Sequence, residues 1–132
     1  MNTAETRTGA ATLLAASEIK GTKVINFQNQ EIGDIDEVLI EPDMGQVRFA
    51  VLGVGGFLGL GSTKVAVPWQ AFQIVNERGR MKYLLDATKE RLEKAPRVEG
   101  KNYDRLYPAE TAEPIFVFWD VAWVAEPETA MR

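Results

Sequence analysis

The 132-residue chain contains no cysteine and no histidine, and several chemistries go with them. Disulfides, zinc sites of the Cys/His type, thiolate nucleophiles, Ser-His-Asp triads and imidazole acid-base catalysis have no side chains to draw on. Carboxylates, lysines, tyrosines and two serines, Ser17 and Ser62, remain. Positive charge is also short, with 15 Lys and Arg against 19 Asp and Glu for a net charge of -4. Nucleic-acid binders gain affinity from Lys and Arg meeting phosphates. No basic run offers such a patch, so direct nucleic-acid binding is not expected. Long apolar runs are missing too: no segment nears the roughly 20 residues that a membrane-spanning helix needs, and no membrane span is expected. Met1 to Leu14 holds one Arg and no apolar run of signal-peptide length, so residues 1–14 read as a flexible leader and the expected location is cytoplasmic.

The residues present are those of a folded domain, 45% hydrophobic and 26% charged, with room for one core. Thr22 to Phe27 is short and rich in β-branched residues. Glu31 to Glu41 sets Ile32, Ile35, Val38 and Ile40 among acids, with a change of face near Gly33 and Asp34 that a β-bulge would produce. Pro42-Asp43-Met44-Gly45 marks a turn. In Gln46 to Val54, Val47, Phe49, Val51 and Gly53 alternate with Gln46, Arg48, Ala50 and Leu52. A glycine-dense stretch, residues 53–61, precedes the strand Lys64 to Val67, which Pro68 ends for want of a ladder donor. Trp69, Phe72, Ile74 and Val75 continue the apolar content. Gly79 tips a polar turn before the strand Met81 to Asp86. Short strands at near-regular spacing predict a closed or partly closed barrel. Thr88 caps a short helix with Glu90 in its first turn, Leu92 facing the core and Pro96 stopping it. Arg97 to Glu113 reads as a polar linker or a tail over the barrel. Ile115 to Val124, between Pro114 and Pro127, fits a helical stripe of Ile115, Phe118, Trp119, Ala122 and Trp123 better than a strand.

In order and spacing, Gly21-Thr22-Lys23-Val24, Ile32-Gly33-Asp34-Ile35 with Val38 and Ile40, Gly45 to Val51, and Gly56-Phe57-Leu58-Gly59-Leu60-Gly61 running into Val65-Ala66-Val67-Pro68-Trp69 form one pattern. Over residues 21–96 the chain resembles a PRC-barrel domain, the module shared by the cytoplasmic part of the photosynthetic reaction centre H subunit and the C-terminal part of the ribosome maturation factor. The resemblance implies a mainly β fold: a small PRC-type β-barrel, residues 15–96, with a short helix after its last strand and a C-terminal extension, residues 97–132, carrying the aromatic segment. It also implies a docking module with no catalytic centre or cofactor. The reaction centre subunit's membrane helix and the maturation factor's preceding barrel have no counterpart here, so a free-standing relative with its own partner is expected.

The glycine stretch does not fit a phosphate cradle, because Ser62 and Thr63 stand after Gly61 where a P-loop needs Lys and then Ser or Thr, and no GxGxxG frame is filled. Glycines there suit a hairpin connection, and Phe57, Leu58 and Leu60 become a contact patch if exposed together. Six acids, Glu31, Asp34, Asp36, Glu37, Glu41 and Asp43, lie between Val24 and Val47 without a Lys or Arg. Val38 interrupts the calcium-loop frame, so they read as a solvated strand face. Trp69 and Phe72 read as core. Phe116, Phe118, Trp119 and Trp123 concentrate aromatic area in a short segment, which either packs back on its own barrel or against another chain.

A non-enzymatic protein-docking role is therefore expected, with a protein partner and a homodimer, through Phe57, Leu58, Leu60, Phe116, Phe118, Trp119 and Trp123. Two alternatives stand beside it. One is a ribosome-assembly or RNA-processing accessory whose acidic surface meets a basic ribosomal protein. The other is a small-ligand-binding barrel or a carboxylate-dependent hydrolase, which requires a polar pocket with a displaced carboxylate pKa.

Overall fold

A computed structural model describes residues 12–55 and 63–124. A one-turn helix α1 (Ala16–Ile19) precedes β1 (Lys23–Ile25), β2 (Glu31–Glu41), β3 (Gln46–Val54) and β4 (Thr63–Pro68); a 3₁₀ turn (Trp69–Ala71) leads into β5 (Phe72–Glu77) and β6 (Arg80–Leu85). Then come α2 (Lys89–Lys94), a second 3₁₀ turn (Tyr103–Leu106) and α3 (Ala109–Phe118). The six strands form one sheet in the order β4-β3-β2-β1-β6-β5, antiparallel except for the β1–β6 pair. β4 and β5 stand at opposite ends of that order, yet only Trp69–Ala71 separates them. So short a connection requires the sheet to roll on itself, the geometry of a small barrel.

The roll is helped by irregularities where the sequence predicts one. Against β1 the register passes over Ile32, stepping from Val24↔Gly33 to Ile25↔Glu31. Against β3 it passes over Asp36, between Ile35↔Leu52 and Glu37↔Val51. Extra residues of this kind bend a strand and sharpen its twist. Gly33 is required at the bend, because a Cβ there would sit 2.8 Å from the Gly53 carbonyl oxygen. Gly53 in turn leaves a gap across which Lys64 on β4 pairs with Asp36 on β2. Asn26, 1% exposed, ties the β1–β2 turn to the end of β6. Its Oδ1 accepts from the Gln28 and Gln30 amides, and its Nδ2 donates to Gln30 and to the Ala87 carbonyl.

The faces of β3 alternate as the sequence predicts, but both are covered. Phe49, Ala50, Val51 and Leu52 are buried in succession, since the extension packs over one side and the barrel core fills the other. Phe49 meets Phe116 of α3 edge to face at 5.6 Å. Phe72 is buried, and Trp69 packs between it and Tyr83. Thr88 caps α2 through its hydroxyl, which accepts from the Arg91 amide at 3.1 Å, and Leu92 is buried.

The segment expected to be a polar linker or a tail over the barrel is ordered by burial of Val98, Leu106 and Ala112. It also covers the outer edge of β4. The Val98 amide donates to the Lys64 carbonyl at 2.9 Å, Arg97 bridges Val65, and the Trp119 indole donates to the Ala66 carbonyl at 3.2 Å. Pro114 lies inside α3 rather than before it. Having no amide hydrogen, Pro114 leaves the carbonyl of Glu110, an exposed residue, without its helical donor.

Candidate interaction surface

The tip of the β2–β3 hairpin is held by a buried acid. The Glu41 carboxylate, 7% exposed, accepts from the Met44 amide at 2.7 Å and the Asp43 amide at 3.3 Å. The Gly45 amide returns to the Glu41 carbonyl at 2.8 Å, and its φ of 67° suits a residue without Cβ. With the turn fixed from beneath, Ile40 and Met44 face outward, 56% and 50% exposed.

Beyond the tip the register passes over Arg48, between Leu39↔Phe49 and Ile40↔Val47. Arg48 stacks between two rings of the extension, its guanidinium carbon 5.1 Å from the Tyr107 centroid and 5.4 Å from that of Trp123. The quadrupole of each ring attracts the guanidinium and holds it over the ring face. Tyr107 is delivered by the 3₁₀ turn Tyr103–Leu106, anchored by buried Leu106.

Trp123 reaches Arg48 because α3 ends sooner than the stripe of apolar residues predicts. Asp120 takes a left-handed φ of 60°, its amide donates to the Val117 carbonyl at 3.0 Å, and the Val121 amide donates to that of Phe116 at 2.9 Å. This is the Schellman pattern with Asp in the place glycine usually takes. Arg91 holds the same corner, donating to the Phe118 carbonyl and to Asp120 while lying 4.9 Å from the Trp119 centroid. The chain then doubles back, and Trp123 packs edge to face on Phe116 at 5.2 Å.

Tyr107, Arg48 and Trp123 thus form a ridge with a hollow on either side. The one of about 250 Å³ is lined by Val38, Ile40, Pro42, Tyr103 and Leu106 among others. The one of about 220 Å³ is lined by Met44, Val47, Phe116, Trp123 and Val124 among others. Tyr107 at 49% and Val124 at 76% exposure join Ile40 and Met44 around this ridge. Four large apolar side chains exposed on one small surface are more than the scattered exposure that needs no explanation.

The residues expected to make contacts fall in three groups. Phe116 and Trp119, 6% and 4% exposed, are buried in this chain's own core, so the aromatic segment packs back on its barrel. Phe118 is half-buried against Trp119 and Arg91, and Trp123 is half-buried in the ridge. Phe57, Leu58 and Leu60 lie outside the described residues. Ile40, Met44, Arg48, Tyr107 and Val124 were not anticipated. A methionine inside a Pro-Asp-Met-Gly turn and a tyrosine in a polar stretch were the available signals.

The acidic cluster is shared among lysines of neighbouring elements. Lys20 meets Glu37 at 3.4 Å, Lys23 meets Asp34 at 3.7 Å and Glu31 at 4.0 Å, and Lys64 pairs with Asp36. Among the described residues no three acidic side chains gather where they could hold a metal ion. Tyr83 lies beneath α1, where burial raises its hydroxyl pKa and the Glu18 carboxylate adds to the rise.

The PRC-barrel domain model matches residues 11–92, a span that takes in all six strands and most of α2. The chain belongs to the PRC-barrel family. No curated protein matches it. No helix among the described residues of this PRC-barrel is long and apolar enough to cross a membrane. The family match stops before the extension, so the ridge joins a barrel residue, Arg48, to two rings that lie beyond the matched span.

Proposed function

We propose that this PRC-barrel is a non-catalytic docking module whose protein partner sits on the Arg48 ridge. The observation that carries the reading is the placement of Ile40, Met44, Tyr107 and Val124, each about half exposed or more, around a rigid cation–π stack with a hollow on each side. Interfaces are enriched in aromatic residues, Met and Arg, and their energy concentrates where anchors fill pockets. A ridge between two hollows can receive two apolar anchors of one partner. The buried Glu41 beneath the turn and the stacking of Arg48 fix the surface in advance, which lowers the ordering cost of binding.

The family membership agrees with a docking role, and the chain has neither Cys nor His for the commonest catalytic devices. A photo-crosslinking residue placed at Met44 tests the reading in native extract, with the same residue at exposed Gln28 as control. A discrete adduct from Met44 that the control does not give is expected; the same adducts from both positions would defeat the proposal.

A further inference from the structure

The rolled sheet has two edge strands, and the chain treats them differently. β4 carries Lys64 and Pro68, and its outer carbonyls at Lys64 and Ala66 are taken by Val98 and Trp119. β5 has neither lysine nor proline, and its six pairs with β6 run without a bulge. Lysine, proline, bulges and covering segments are the usual protections of an edge. Among the described residues β5 has none of them.

The free groups on that edge can be assigned. Arg78 and Gly79 both have positive φ, 56° and 85°, as a two-residue type I′ turn requires. Such a turn makes Glu77 and Arg80 a hydrogen-bonded pair, and alternation then places the main-chain N–H and C=O of Ile74 and Asn76 on the outer edge. The Phe72 amide is engaged by the Trp69 carbonyl. No main-chain hydrogen bond joins Ile74 or Asn76 to another described residue outside the sheet.

We propose that this edge is a self-association site whose occupant is β5 of a second copy, laid antiparallel about Val75. Only that register uses both free residues, pairing Ile74 with Asn76 of the second copy and Asn76 with its Ile74, and leaves the engaged Phe72 amide alone. It brings Val75 against Val75 and sets Gln73 opposite Glu77, so no like charges oppose each other. Glu77 already has a counter-charge in Lys82 at 3.1 Å. The two-fold relation is the commonest symmetry of soluble oligomers. This inference does not rest on the docking role of the Arg48 ridge and shares none of its residues.

Gln73 provides the test, because it is exposed and its charge can be set either way without touching the core. Sedimentation equilibrium of the full chain should give a monomer–dimer equilibrium. Gln73→Glu, which opposes Glu77 of the second copy, should raise the dissociation constant, and Gln73→Lys should lower it. Two symmetry-related cross-strand pairs acting together give a change of roughly twofold to thirtyfold in each direction. Circular dichroism confirms that both variants remain folded. A chain that stays monomeric up to its solubility limit, or a dimer that responds to neither substitution or to both alike, would overturn the proposal.

Discussion

The Trp119 indole N–H donates to the Ala66 carbonyl at 3.2 Å, a buried hydrogen bond between residues 53 apart in the chain. It joins the end of α3 to the outer edge of β4, so the extension is part of the barrel's stability. Trp119→Phe keeps most of the ring but leaves a buried carbonyl without a donor, an expected cost of about 1–3 kcal/mol. Trp119→Ala should cost about 3–5 kcal/mol. Chemical unfolding measures both, and a near-zero change in each would place the extension off the barrel. Truncation after Pro108 removes Ala112, Ile115, Phe116 and Trp119, all buried, and should destabilise the isolated chain.

Gly33 and Gly53 approach closely where β2 bends. Gly33→Ala places a methyl 2.8 Å from a main-chain oxygen of β3, and no flexible side chain can yield there. The strands must part, at an expected cost of about 1–3 kcal/mol. The same substitution at Gly100 meets nothing within 4 Å but has to adopt a φ of 68°, so its smaller penalty comes from the backbone alone. Denaturant midpoints should rank Gly33→Ala as the worse of the two.

Tyr83 has its pKa raised from 10.0 by burial and by Glu18. Below the unfolded-state value both states hold the proton and the group leaves stability unchanged with pH. Above it the unfolded chain loses the proton first, binds fewer protons than the native state, and gains relative stability, so folding stability falls as pH rises through that window. Thermal melts above about pH 10 should therefore fall more steeply for the native sequence than for Tyr83→Phe. Parallel slopes would show that Tyr83 does not account for the alkaline loss.

Much of the barrel could be read in the sequence because its signals are local. Thr88 caps α2 through its own hydroxyl, Pro68 ends β4, and the change of face near Gly33 marks a bulge. The extension was harder, for two reasons. Pro114 looked like a boundary but lies inside α3, and Asp120 ends the helix in a conformation that glycine usually signals. The aromatic segment was expected to make contacts, yet two of its four rings, Phe116 and Trp119, are buried in the core. The ridge was not legible, since Arg48, Tyr107 and Trp123 are far apart in the chain and meet only when the extension folds back over the β2–β3 tip.

The docking claim is tested most directly by the affinity of the partner captured from Met44, measured by calorimetry against the native chain and against Ile40→Asp with Val124→Asp. Both positions are exposed, 56% and 76%, so thermal melts should be nearly unchanged. A charge desolvated at a contact centre weakens binding strongly, and a loss of about tenfold or more, roughly 1.4 kcal/mol, is expected. Unchanged affinity in a folded double variant would contradict the assignment of the Arg48 ridge as the docking surface.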